Sequence, residues 1–477
     1  MPKFKENKVS FLTALVPVGS LLLLIIAGLF LFPLWFEIQP FRLEFIFLIA
    51  SVVACVQLKY LGFSWDEISK SIVAKISTAM PTLLILLAIG LIIGSWIACG
   101  TIPMLVYYGI SLIDPDFIYV IAFIVPVIFS TVTGTSWGSI ATIGVVLMGV
   151  AISVGANLPI TAAAIIGGSF FGDKLSPLSD TTNVAALATE VNVLNHIKSM
   201  LYTTLPAALL AITFYGLMSW IYPVASLGSN SKVIEQTLSE TSKAFNFNVL
   251  LLLPPIVVLY GSIKKLPTLP VLVTSSLIAL ALAFVFQDFS VDLVLSSLLT
   301  GFETDQLSFV VSQNVHDLFT RGGLYSLKEP VIISIIVFVF VGAIEKINAM
   351  SVIVDRLFGF VKSKGGLIRS VLISTGITNS MTSNQYATSF IVGDAFKEKF
   401  DKANINRNVL SRSLEDTGTM LESLVPWHQT AVFAATTLGV AVADYWYWQV
   451  FSLANILLAF LFTFIGFAIF KKNESKT

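Results

Sequence analysis

The sequence predicts an all-α integral membrane protein: a polytopic helical bundle of about 11–13 spans. Its two repeats carry helices interrupted by re-entrant or unwound segments. Three observations lead there. The 477 residues are 56% hydrophobic and only 12% charged, against about 45–50% and 25% in soluble domains. Apolar runs of roughly 20 residues, enough to cross a ~30 Å hydrocarbon core, recur from end to end. Polar stretches rich in glycine and proline interrupt these runs in both halves of the chain.

Candidate spans begin near Phe11, Phe45, Pro81, Phe117, Ile140, Ile160, Met200, Leu250, Pro270, Val331, Leu367, Val432 and Phe451. Leu21–Phe32 does not alternate polar and apolar residues, so these are helices and not barrel strands. Lys3, Lys5 and Lys8 precede an apolar stretch too long for a signal-peptide core and lacking a small-residue cleavage pattern. The first span is therefore expected to stay, with a cytoplasmic N-terminus. Lys264-Lys265, the cluster Lys397, Lys399, Lys402, Arg407 and Arg412, and Lys471-Lys472 mark further cytoplasmic segments. Net charge is +0, which gives no sign of a nucleic-acid partner. Cys55 and Cys99 lie in apolar runs and read as small buried hydrophobes, not as a disulfide or metal pair.

The chain divides into a first membrane repeat (1–225), a polar linker (226–247) and a second repeat (248–477) containing a polar loop (301–329). The halves echo each other. Thr135-Ser136 and Asp180-Thr181 in the first correspond to Thr382-Ser383 and Asp416-Thr417 in the second, at offsets of 247 (382 − 135) and 236 (416 − 180). Such repeats, with interruptions at matching places, point to a transporter whose site lies at the repeat interface.

The chemistry sits in the interruptions. FFGDKLSPLSDTTN (Phe170–Asn183) offers Asp173 and Asp180 as carboxylates, with Ser179, Thr181 and Thr182 among its neutral oxygens. Gly167, Gly168, Gly172 and Pro177 suggest unwound backbone, tolerated in lipid only if buried or facing a wet cavity. A hard cation binds such oxygens. A carboxylate at bilayer depth also holds a proton readily, so one group binding either ligand couples the two. Lys174 is expected to neutralise Asp173, leaving Asp180 as the better ligand; an interfacial Asp173-Lys174 pair is the plainer alternative. Ser411–Gln429 repeats the recipe with Glu415, Asp416 and Glu422, with Thr417 as an oxygen donor and His428 as a titratable neighbour. Arg412 is expected to pair with one acid, and Trp137 to pack or gate. Asn379, Thr382, Ser383, Asn384 and Gln385 form a further oxygen-dense stretch that helix–helix hydrogen bonding also explains. His196 and His316 read as loop residues. No GxxxxGK[ST] loop, HExxH or CxxC is present, so neither an ATP-driven pump nor an enzyme is expected, nor any cofactor.

At these residues the chain resembles the NhaC-type sodium/proton antiporters of bacteria. The resemblance rests on Gly134–Ala151, Gly167–Ala186, Arg321–Ser326, Gly342–Met350 and Asn408–Trp427, in family order. It implies a fold of two inverted repeats and secondary transport in the bacterial cell membrane by alternating access, with protons exchanged for sodium or lithium. Members similar to malate/lactate antiporters imply a small carboxylate as the alternative cargo. Matching positions are Thr135, Ser136, Asp173, Asp180, Thr181, Thr182, Asp416 and Thr417, with Asp180 and Asp416 expected to hold the ion. Glu422 and His428 depart from the family pattern, and with Glu415 and Asn384 they are expected to modulate the site. The bilayer and a homo-oligomeric copy complete the expected partners.

Overall fold

The computed structural model describes residues 9–112, 114–224, 227–358, 361 and 363–471, with backbone alone for Phe30, Thr82 and residues 227–233. Lys3, Lys5, Lys8, Ser226 and Lys472 lie outside the described residues. Among those described, regular structure is helical apart from one bridge between Phe302 and Arg321.

Helices α1 (Phe11–Phe36), α2 (Leu43–Tyr60) and α3 (Trp65–Ala98) come first. Ser64 and Glu67 start α3 with a reciprocal capping box. The first set of shorter helices is α4 (Thr101–Leu112), α5 (Ile118–Thr133), α6 (Ser136–Val154), α7 (Leu158–Leu175) and α8 (Asp180–Ala188). The long α9 (Val193–Ile221) follows, then α10 (Leu227–Ala244), which makes most of the expected linker helical. Next come α11 (Leu253–Ile263), α12 (Thr268–Phe286), α13 (Val291–Leu299) and α14 (Gln313–Phe319). The second set is α15 (Lys328–Glu345), α16 (Ala349–Phe358), α17 (Lys364–Thr382), α18 (Gln385–Lys402) and α19 (Arg407–Leu414). A wide, π-type turn (Glu415–Thr419) extends α19, and α20 (Gln429–Leu438), α21 (Val442–Trp448) and α22 (Val450–Ile465) end the chain.

Eight described helices are long and apolar enough to cross a membrane, or up to ten if each of two bent pairs is one span. The expectation of about 11–13 also counted broken spans. In α7–α8 and α19–α20 the apolar path stops midway and restarts, and these four helices are not among the eight.

One backbone pattern occurs twice. Residues with left-handed backbone at Gly134, Gly155 and Glu190 recur at Ser383, Asn404 and Gly439. Each pair is separated by 249 residues (383 − 134, 404 − 155, 439 − 190). N-capping side chains at Thr135, Asn157 and Ser179 recur at Asn384, Asn406 and His428, with the same offset (384 − 135, 406 − 157, 428 − 179). From Gly134 to Glu190 the second copy thus follows the first without an insertion. The sequence echoes at 247 and 236 lie outside this register, because a Thr-Ser or Asp-Thr dipeptide carries little positional information.

The glycines expected to unwind the chain do otherwise. Gly167, Gly168 and Gly172 lie inside the continuous helix α7, and the break is confined to the residues around Pro177. A Cβ at Gly168 would strike the Phe123 carbonyl, and one at Gly172 the Ser130 hydroxyl. Both therefore let α5 and α7 pack backbone to backbone, as small residues do between membrane helices. Gly168→Ala should lower thermal stability by about 1–3 kcal/mol through overpacking. Gly19→Ala, whose new methyl meets only a Leu15 carbon at 4.0 Å, should leave the melting temperature in detergent unchanged or slightly raised.

Candidate functional site

Each repeat brings a helix break against a hairpin tip. In the first, Gly134 ends α5 in left-handed backbone and Thr135 restarts the chain by accepting from Gly138 N at 3.2 Å. This tip meets the α7–α8 break: a Cβ on Gly134 would press on Leu178, and Ser176 Oγ donates to the Thr131 carbonyl at 3.0 Å. In the second, Ser383 ends α17 and Asn384 accepts from Ala387 N at 2.9 Å. Trp427 Nε1 donates to the Ser380 carbonyl at 2.7 Å, and Gln429 Nε2 to the Ser383 carbonyl at 2.8 Å. Residues 131 and 380 are partners under the 249-residue offset (380 − 131), so both breaks are tied to their tips at the same carbonyl.

The deepest element is an ion pair across the repeats. Lys174, at the end of α7, donates to Asp416 Oδ1 at 2.6 Å, and the two side chains are 0% and 1% exposed. Thr203 Oγ1 of α9 (2.8 Å) and Asn455 Nδ2 of α22 (3.0 Å) donate to the same oxygen. Lys174 also reaches Asn455 Oδ1 at 3.1 Å. Arg412 Nε lies 3.7 Å from Asp416 Oδ2, and its Nη2 donates to the Ala468 carbonyl at 3.1 Å. Lys174 is thus the counter-ion of Asp416 and not, as its position in the sequence suggests, of Asp173.

Three more carboxylates are buried nearby: Asp173, Glu415 and Glu422. Among the described residues none of them has an ion-pair partner; each takes a hydroxyl. Ser136 Oγ donates to Asp173 Oδ2 at 2.7 Å, Thr419 Oγ1 to Glu415 Oε2 at 2.5 Å, and Thr430 Oγ1 to Glu422 Oε2 at 2.9 Å. The Tyr386 hydroxyl, on the second tip, lies within electrostatic reach of all three. With Asp416 these make four acids against Lys174 and Arg412. The site therefore carries an excess of two negative charges if all are ionised, and uncompensated charge in a dry interior is costly. Bound cations or protons remove that excess.

The remaining expected residues are dispersed. Asp180 is exposed on the first turn of α8, at the edge of this cluster, within electrostatic reach of Asp173 and Tyr386. Ser179 caps that helix, and its Oγ lies 3.1 Å from Thr181 Oγ1. Thr182 Oγ1 closes the break by donating to the Lys174 carbonyl at 3.1 Å. Thr417 Oγ1 donates to the Leu372 carbonyl at 2.9 Å. His428 is buried, with Nδ1 accepting from Thr430 N at 3.2 Å and Nε2 facing Asn379 Oδ1 at 3.4 Å. His196 is not a loop residue but sits buried in the first turns of α9, with neither ring nitrogen bonded. Among the described residues no group of three or more His, Cys, Asp or Glu side chains is arranged to hold a metal ion. Asn455 and Thr203 were missed. Asn455, an amide in the otherwise apolar Val450–Ile465, did carry a signal; Thr203 carried none.

Tandem broken spans meeting at a buried, carboxylate-rich centre define a helical secondary transporter. The chain belongs to the Na+/H+ antiporter family, whose model matches residues 168–467 and so covers both breaks. It is 38% identical over 464 residues to an uncharacterized Na+/H+ antiporter of Haemophilus influenzae, covering 97% of each chain. It is 34% identical to the Na+/H+ antiporter NhaC of Bacillus subtilis, over 96% of this chain and 99% of that one. The malate-2H+/Na+-lactate antiporter of Bacillus subtilis is 31% identical over 87% of this chain and 88% of its own.

Removing one partner of a buried ion pair strands the other charge, at a cost of about 3–5 kcal/mol. Lys174→Met should therefore lower the melting temperature sharply, whereas Lys174→Met with Asp416→Leu should recover much of the loss. Thermal unfolding of both variants in detergent, followed by tryptophan fluorescence, checks this.

Proposed function

We propose that the protein is a secondary antiporter exchanging protons for sodium or lithium by alternating access. The observation that carries this is the excess of buried carboxylates over buried cations, with neutral hydroxyls and amides as their other polar donors. Such a centre is neutralised equally by protons or by a small monovalent cation, so loading one displaces the other. Asp173 is the exchanging carboxylate of the first break, assisted by Ser136. Asp416 stays locked to Lys174 and orients the break. The chain sits in a bacterial cell membrane with its N-terminus cytoplasmic, its membrane repeats lie within 1–225 and 248–477, and the second repeat is inverted relative to the first.

Access at the two tips differs. Trp137, on the first tip, stacks on Phe433 with ring centroids 4.2 Å apart and planes at 9°. Its second-repeat counterpart under the 249-residue offset is Tyr386 (386 − 137), which is 44% exposed. A cavity of about 480 Å³ is lined by Ala387 and Phe390 of the same helix, with Lys75, Glu345 and Thr382. Phe390 is 42% exposed, while its counterpart Ala141 (390 − 141 = 249) is 3% exposed. This is the asymmetry of a transporter open on one side. The opposite state would part Trp137 from Phe433 and bury Tyr386.

A second reading, exchange of a small carboxylate, is favoured by Arg321. Two of its guanidinium nitrogens, Nε and Nη2, are buried without a hydrogen-bond partner. Lys174 and Arg412 are occupied by Asp416, and Arg369 stacks on Phe464 at 4.4 Å.

Proteoliposomes with an entrapped pH dye separate the readings. With an inward-acid gradient, sodium and lithium chlorides alone should dissipate the gradient. Dissipation only with sodium malate or lactate would give the function to the second reading. Asp173→Asn should abolish exchange and Asp180→Asn should retain it; the reverse would move the site to Asp180. In a background with Cys55 and Cys99 replaced, Phe390→Cys should react with a water-soluble thiol reagent much faster than Ala141→Cys. Equal rates would contradict one-sided access.

A further inference from the structure

The 249-residue offset gives each side chain of the first break a counterpart in the second. Leu175, Pro177 and Thr181 map onto Leu424, Pro426 and Thr430, and Asp173 maps onto Glu422 (422 − 173 = 249). Each acid lies four residues before the proline that interrupts its span. Both are buried, and both accept a hydroxyl, from Ser136 at 2.7 Å and from Thr430 at 2.9 Å. Symmetry alone would make Glu422 a twin of Asp173 in position only.

Its surroundings go further, because they leave buried oxygens unused. Glu415 spends Oε2 on Thr419, while its Oε1 is buried with no partner. Gln385 gives its amide nitrogen to the Leu414 carbonyl at 3.1 Å, and its Oε1 is buried with no partner. That oxygen faces the wide turn holding Glu415, where a Cβ on Gly418 would collide with it. A buried acceptor without a donor keeps its desolvation cost uncompensated, so two of them together want a ligand. Acceptors beside two carboxylates repel anions and suit a hard cation. His428 does not fill the role: its Nδ1 accepts from Thr430 N, which leaves Nε2 as the donor facing Asn379. Glu415 and Asp173, both acids, act on Glu422, which also takes a hydrogen bond from Asn379; Lys174 acts on Glu415 but is already paired with Asp416.

We propose that Glu422, with Glu415 and the amide oxygen of Gln385, forms a second site for a monovalent cation, Na+ or Li+, symmetry-related to the site at Asp173. This rests on the sodium/proton reading above. Each repeat then supplies one exchanging carboxylate, and the chain binds two sodium ions instead of one.

Equilibrium binding of radioactive sodium to the full chain in nanodiscs tests this. The wild type should bind two ions per chain. Glu422→Gln and Asp173→Asn should each bind one, and Glu422→Asp, which keeps the carboxylate, should restore two. A Glu422→Gln protein that elutes as the wild type and still binds as much sodium overturns the second site while leaving the exchange reading intact. So does a Glu422→Gln protein that loses only calcium binding. A wild type that binds no sodium at all overturns the exchange reading itself.

Discussion

The ion pair between Lys174 and Asp416 joins residues 242 positions apart, one from each repeat, with essentially no solvent on either. Thr203 and Asn455 complete its shell, so α7, α9, the wide turn after α19 and α22 converge on one carboxylate oxygen. A pair at this depth is held by geometry, because its Coulomb attraction must offset the desolvation of both charges. It therefore fixes where the two breaks stand relative to each other. It also removes the nearest cation from Asp173, which leaves the first break's carboxylate with hydroxyl partners and free to exchange ligands.

The breaks themselves follow from local chemistry. A proline cannot continue the hydrogen-bond ladder of a helix; Pro177 follows the end of α7 closely, and Pro426 lies in the turns that follow Leu421. A polar cap then restarts the chain, Ser179 in one repeat and His428 in the other. The backbone groups exposed by a break must be satisfied inside the protein: Leu178 N donates to Ser176 Oγ and Gln429 N to Ser383 Oγ, while Ser176 and Trp427 side chains tie the breaks to the tip carbonyls of Thr131 and Ser380. A break, its cap and its tip thus act as one unit, used twice. The packing that permits it depends on glycine at Gly168 and Gly172, where α5 and α7 touch.

The two units are alike in backbone and unlike in exposure. Trp137 is stacked away while Tyr386 is exposed, and their neighbours differ in the same sense: Ala141 is buried and Phe390 is exposed and lines a cavity. Two copies of one structural unit in two environments are what a protein needs in order to exchange those environments. Neither arrangement then requires a new fold, only a rearrangement of surfaces that already exist in the other copy.

Much of this was legible in the residues. Apolar length, the polar interruptions and the acids that matter are properties of short windows, and hydropathy reads them directly. The motifs around Asp173 and Asp416 were enough to indicate the family. The partner of Lys174 was not legible, because adjacency to Asp173 suggested the wrong pair and nothing in a sequence reports a contact 242 residues away. The repeat register was hidden as well: it is carried by left-handed backbone at Gly134 and Ser383, residues that share no side chain. Asp173 and Asp180 looked interchangeable in a single polar stretch, but the start of α8 turns Asp180 outward while the end of α7 buries Asp173. By itself, then, the sequence determined that the chain spans a membrane, where its helices break and which carboxylates are candidates. Only the tertiary structure decided which acids are paired and which are free, because burial and pairing depend on faces brought together by distant helices.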